Sequence, residues 1–295
     1  MHIGPTEIID TFAEGFGMRY ARLIVTAVDP YWLDAALAET TGYASSVIAC
    51  DAEAGVEQYL EPKETPDGRP GAAVLLFAFS TDALTKAVAG RTGQCLMTCP
   101  TTAVYNGLPD AEEQIPLGKH LRFFGDGYQK SKKLDDVRYW RVPVMDGEFL
   151  VEEKAGVAKG VAGGNIIIQG ESQASALAAA RRATEEVAAS GGVIMPFPGG
   201  VVRSGSKVGS RYKALVASTN DAFCPTLRGR VESELVPAAN CACEIVFDGA
   251  GESAVAQAMT AAIRAAAGDG VPAITAGNYG GKLGKYHFHL RELIA

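Results

Sequence analysis

Basic charge is in short supply in this chain. Its 295 residues hold 27 Lys and Arg against 34 Asp and Glu, a formal net charge of −7. A nucleic-acid surface needs a basic stripe, so binding to DNA or RNA is not expected. Long apolar runs are missing too, which argues against a membrane-spanning helix. The opening "MHIGPTEIIDTFAEGF" lacks the basic-then-apolar order of a secretory leader. A cytoplasmic protein is the expectation. Cysteine numbers six, at 50, 95, 99, 224, 241 and 243, with no CxxC pair and no second cluster at zinc spacing. Neither a disulfide nor a metal site is expected. No GxSxG elbow occurs, although a Cys–His nucleophile stays open. A doubly wound nucleotide fold would place glycine between its first strand and helix. That turn reads "AVDPYW" here and has none. "GSKVGS" misses the P-loop pattern and leads toward a strand rather than a helix.

The charged share of 21% and hydrophobic share of 47% are those of a globular chain able to bury a core. Length suggests one large or two medium domains. Strands are predicted over 18–28, 43–50, 72–79 and 93–100. Asp29-Pro30 marks the start of one helix, and Ser80 or Thr81 caps a second. The later half repeats the rhythm. "GGNIIIQG" is a strand and 171–190 a helix with Leu177, Ala180, Thr184 and Val187 on one face. "GGVIMPF", 210–218 and 241–248 follow as strands. The next helix carries Val255, Met259, Ala262, Ile263 and Ala266 on one face, and 271–277 closes the unit. The whole reads as α+β, two ferredoxin-like βαββαβ lobes with an extra β insertion between them. The expected domains are 1–150, with the insertion, and 151–295.

"NCACEIVFDG" puts a carboxylate inside an apolar strand. Side chains alternate, so Cys241, Cys243, Ile245 and Phe247 face one way and Ala242, Glu244, Val246 and Asp248 the other. Glu244 is either an exposed-edge or salt-bridged glutamate, or a general acid/base whose pKa is raised by apolar neighbours. Four loops, 64–71, 101–109, 196–210 and 276–289, are rich in Gly, Pro and small polar residues. Each suits plain turn chemistry or close backbone approach to a ligand. Lys207 and Arg203 could meet an anion or stay solvated. His287 and His289 share a strand face without an evident third metal ligand.

Together "TPDGRPG", "TCPTTAVYNGLP", "PFPGGVVRSGSKVG" and "AGNYGGKLGKY", in that order and spacing, resemble the formylmethanofuran:tetrahydromethanopterin formyltransferase family. The likeness runs from "EIIDTFAEGF" to "HLRELI". It implies two ferredoxin-like lobes, a homotetramer built as a dimer of dimers, and no metal or prosthetic group. The substrates implied are methanofuran, or a methanofuran-like carrier, and tetrahydromethanopterin. Glu244 matches the family's proposed catalytic carboxylate. The matching loops nominate Tyr105, Asn106, Ser206, Lys207, Asn278, Tyr279 and Lys282 for substrate contacts, with loop stabilisation as the alternative. Backbone N–H groups of the glycine-rich loops are candidates for an oxyanion hole. Alanine-rich helices and modest charge lean toward the bacterial form, a subunit of a formyltransferase/hydrolase complex. A pterin-binding or scaffold subunit without catalysis is the rival reading.

Overall fold

The computed structural model describes all 295 residues. They form two compact units, one of residues 18–160 and one of residues 1–17 with 161–295. The expected boundary at 150/151 and these units do not coincide. The strands Phe12–Thr26 and Lys154–Gly170 each contain a boundary between units. A strand end that runs on without a turn leaves no composition signal for a boundary.

In the unit of residues 18–160, the strand residues 19–26 lie between Gly71–Ala78 and Ala103–Asn106, antiparallel to both. Glu53–Leu60 adds outside Gly71–Ala78. Pro30–Thr41 and Thr81–Arg91 are the helices. Asp29 caps the first through Trp32 N at 3.1 Å, with Pro30 at the opening position. Ser80 caps the second through Ala83 N at 3.2 Å. Both caps satisfy N–H groups that have no partner within the helix. The insertion is an antiparallel meander, Lys130–Leu134, Val137–Val144 and Gly147–Glu152. Its last strand runs parallel to Ala103–Asn106.

Two strand expectations fail here. Residues 43–50 are turns, and the second strand is Glu53–Leu60. A register shift between Val56 and Gln58 breaks the alternation that would have marked it. Residues 93–100 are not a strand either. Thr92–Leu96 continues the preceding helix as a π turn, and the closing strand is Ala103–Asn106.

In the other unit, residues 164–170 of the long strand pair antiparallel with Cys241–Gly249, Ile167↔Glu244 being in register. Ala273–Thr275 flanks the other edge, and Val193–Ile194 lies outside Cys241–Gly249. The helices Gln173–Ala188 and Glu252–Ala266 share one core with Cys243, Ile245 and Phe247. Phe247 has no exposed surface, and its burial contributes on the order of 2–3 kcal/mol. Val255, Met259, Ala262, Ile263 and Ala266 are all buried, as periodicity predicts. The first helix is rotated from expectation. Ala176, Ala179, Ala180, Ala183 and Val187 face the core, and Leu177 is exposed. Small residues let the helix approach closely, at the cost of presenting its leucine to water. Of 210–218, only Ala217–Ser218 is a strand, paired with Lys207–Val208.

Candidate active site

Alternation decides where Glu244 points. Its neighbours Cys243 and Ile245 face the helices, so Glu244 faces away from them, toward the segment 198–240. That segment crosses the strand at one point. Val202 N donates to Glu244 O at 2.7 Å, and Glu244 N donates to Val202 O at 3.0 Å. Phe223, Leu235 and Ala239 pack with Ile167 and Ala242 on the same side. Between these lies a cleft of about 30 Å³, lined by Val202, Arg203, Ser204, Gly205, Asn220, Cys224 and Glu244 among others. That is room for about one water molecule. Gly205 has φ +57°, and a Cβ there would lie 2.6 Å from Asn220 Cβ. Only glycine allows this wall to come so close.

The Glu244 main chain is satisfied, whereas its carboxyl group has no hydrogen-bond or ion-pair partner. Desolvation alone pushes its pKa up to about 7, because a half-buried charge crowded by protein loses hydration that no donor replaces. Both protonation states are therefore accessible near neutral pH. Cys243 also touches the cleft, but burial pushes its thiol up to about 11. It is a protonated thiol at neutral pH and a poor nucleophile.

The other nominated residues fall into distinct settings. Tyr279 is within electrostatic reach of Glu244. Burial raises its phenol pKa first, and the charges of Glu244 and Glu14 add to that. Asn278 anchors its loop by donating to Thr11 Oγ1 at 3.2 Å and Phe12 O at 3.1 Å. Lys282 is exposed. Lys207 holds Asp221 at 2.6 Å, and Ser206 is half-buried close in sequence to the cleft wall. Tyr105 and Asn106 lie in the unit of residues 18–160. Tyr105 is 3% exposed and its hydroxyl donates to Asp67 Oδ2 at 2.9 Å. Asn106 Oδ1 accepts from Leu108 N at 3.0 Å and Gly156 N at 2.8 Å. His287 and His289 are exposed on one strand, their rings 5.0 and 5.2 Å from that of Phe12.

Glu14, which no sequence motif singles out, is 1% exposed. Its carboxylate accepts backbone N–H groups from Tyr279 at 2.8 Å, Leu283 at 3.2 Å, Gly284 at 2.7 Å, and also from Gly281. Burial pushes its pKa up, but these four donors together prevail and hold it below the usual carboxylate range. They are also the N–H groups of the glycine-rich loop considered above for an oxyanion hole, and they are committed to Glu14. Asn165 is likewise not singled out by any motif. Its amide accepts from Gly277 N at 2.6 Å and donates to Gly277 O at 3.0 Å, clamping the start of the same loop.

The family description "Formylmethanofuran-tetrahydromethanopterin formyltransferase" matches residues 1–144, and "FTR, proximal lobe" matches 147–293. A protein of Methylococcus capsulatus, "Formylmethanofuran--tetrahydromethanopterin formyltransferase", is 55% identical, with both chains covered in full. The solved formyltransferase of Methanosarcina barkeri superposes with a TM-score of 0.95 at 47% identity, again covering all of both chains. The structure of the formyltransferase/hydrolase complex from Methylorubrum extorquens, with methylofuran, contains a chain with a TM-score of 0.96 at 47% identity. It covers 100% of this chain and 99% of that one. With two family descriptions filling the length, and relatives matched end to end, this chain belongs to the formylmethanofuran-tetrahydromethanopterin formyltransferase family.

Proposed function

We propose that this chain is an N-formyltransferase that moves a formyl group between methanofuran, or a methanofuran-like carrier, and a ring nitrogen of tetrahydromethanopterin, with Glu244 as general acid and base. The observation that carries the residue assignment is a half-buried carboxyl group without a partner on the wall of a cleft, desolvated enough for its pKa to rise to about 7. The pterin N–H attacks the formamide carbon, forming a C–N bond and a tetrahedral centre. Glu244 gives its proton to the departing methanofuran nitrogen as the old C–N bond breaks, and its carboxylate then takes the proton of the attacking nitrogen. The products are the N-formyl pterin and the free amine, and every proton is accounted for. A group with pKa near the working pH suits both roles. Holding two substrates in register supplies much of the remaining acceleration.

Nothing in this scheme calls on a metal or prosthetic group. The 276–289 and 196–210 loops, with Ser206, Lys207, Asn278, Tyr279 and Lys282, are proposed to contact substrate, as are Tyr105 and Asn106. No helix is long and apolar enough to cross a membrane, and we place the protein in the cytoplasm. A homotetramer, with further subunits of a formyltransferase/hydrolase complex as partners, fits the exposed Phe123, Phe124, Tyr128 and Met145. Clusters of exposed large apolar side chains commonly mark protein contacts. The test is formyl exchange between the two carriers by the purified chain, followed spectroscopically. Transfer is expected from this chain alone. A folded, oligomeric protein that binds the pterin yet transfers nothing would establish the scaffold reading instead.

A further inference from the structure

We propose that Glu14 is a positioning residue for this reaction: its carboxylate is the post on which the loop 277–284 is built, and through that loop it fixes Tyr279 within electrostatic reach of Glu244. The inference rests on the reading of Glu244 as the acid and base.

A buried carboxylate without partners is costly to ionise. Glu14 makes no salt bridge, and the hydrogen bonds to its carboxylate all come from main chain. Four N–H groups from six successive residues, Tyr279 to Gly284, turn inward onto its two oxygens, Tyr279 and Gly281 on Oε1, Leu283 and Gly284 on Oε2. Such convergence fixes the backbone on both sides of Lys282 and needs a close approach. A Cβ at Gly284 would stand 2.7 Å from Gly15 O and 2.8 Å from Glu14 Cβ, so only glycine fits. The strand beneath is tied down by Tyr286–His289, where His287 pairs with Glu14. One of the four bonds belongs to Tyr279 itself. Its ring packs 6.2 Å from that of Phe16, next along the same strand face. The loop has little apolar anchorage of its own, since Leu283 is 54% exposed. Without Glu14 it would rest on the Asn278, Gly277 and Phe16 contacts, and Tyr279 would lose its fixed place within reach of Glu244.

The test compares four forms of the oligomeric protein: unsubstituted, Glu14→Asp, Tyr279→Ala and the double variant. Aspartate keeps the charge and withdraws it by one methylene. The kcat for transfer should fall about 10- to 100-fold in Glu14→Asp, with KM changed less, since misplacement by about 1 Å costs that much. In the Tyr279→Ala background the same change should cost less than about 2-fold, because the two residues act in series. Amide exchange at Tyr279, Gly281, Leu283 and Gly284 should quicken by at least ~10-fold while the central strands stay protected. Should Glu14→Asp not fold, Gly284→Ala pushes the loop off the carboxylate from the other side and is expected to give the same pattern. Equal losses of kcat in both backgrounds, or unchanged exchange at the four amides, would overturn the proposal for Glu14 alone. Absence of transfer by the unsubstituted protein would overturn the acid/base reading and the reaction role with it.

Discussion

Glu14 and Glu244 are both glutamates set in apolar strands of one unit, and they have opposite electrostatics. Glu244 has no donor, and burial raises its pKa to about 7. Glu14 is 1% exposed, receives four backbone N–H groups, and is held below the usual range. Desolvation acts on both in the same direction. The number of donors aimed at the oxygens decides the sign. A carboxylate meant to stay ionised is surrounded by main-chain donors, and one meant to exchange protons is left without them.

The strongest way to break the comparison is Glu244→Gln. If the lack of partners at Glu244 serves proton exchange, the amide should bind both substrates and lower kcat by about 10²- to 10⁴-fold, the usual range for a positioned acid/base. The limb of the pH–rate profile set by a group near 7 should vanish as well. Steady-state kinetics of the two proteins across pH 5–9 checks both; a variant that kept full transfer would leave Glu244 without a chemical role.

Next in size is Glu14→Gln. The amide keeps one acceptor and turns an NH₂ group toward donors, so a loss of about 2–4 kcal/mol is expected. The sign follows from the lowered pKa. The stabilisation is fully present above the unfolded value of about 4.3 and is lost as pH falls through the folded pKa. Urea unfolding at pH 7 and at pH 3.5 should therefore show a large gap between the proteins at pH 7 that narrows in acid.

Glu244→Gln should move stability the other way. Its folded pKa lies above the unfolded one, so the native protein loses stability as pH rises from about 4.3 to about 7. Removing the charge should return about 1–3 kcal/mol above pH 7 and nothing below pH 4. Thermal melts of that variant at both pH values sharpen the contrast. A variant stabilised where transfer is lost would mark the site as strained for function.

The cue that singled out Glu244, a carboxylate in an apolar strand, was present at Glu14 too. "FAEGFG" carries two glycines and no β-branched residue, so composition predicts a strand only from Met18. It actually begins at Phe12. The helices were legible where caps and periodicity agreed, as at Asp29 and over Glu252–Ala266. The strands 43–50 and 93–100 were misplaced where a bulge or a π turn broke the period. Family motifs single out loops, but not what each side chain does there. Lys207 meeting Asp221, or Tyr105 meeting Asp67, depends on residues 14 and 38 positions apart. No local pattern encodes such pairs.

Asp67 extends the comparison to the other unit, with the smallest expected effect. Its carboxylate accepts from Thr26 Oγ1 at 2.8 Å, Arg69 Nε at 2.8 Å and the Tyr105 hydroxyl at 2.9 Å. Burial opposes ionisation there, and the donors together hold the pKa below its ordinary value. Asp67 thus resembles Glu14, with mostly side-chain donors where Glu14 has main chain. Tyr105→Phe removes one of the four hydrogen bonds to Asp67, the fourth coming from Arg69 N at 3.2 Å, and leaves the ring in its buried place. A loss of about 1 kcal/mol is expected, with the remaining donors keeping Asp67 ionised. If Tyr105 serves only Asp67, KM for both substrates stays at the unsubstituted value. A rise in KM for either one, at unchanged stability, would instead assign its hydroxyl to substrate and leave Asp67 supported by Thr26 and Arg69 alone.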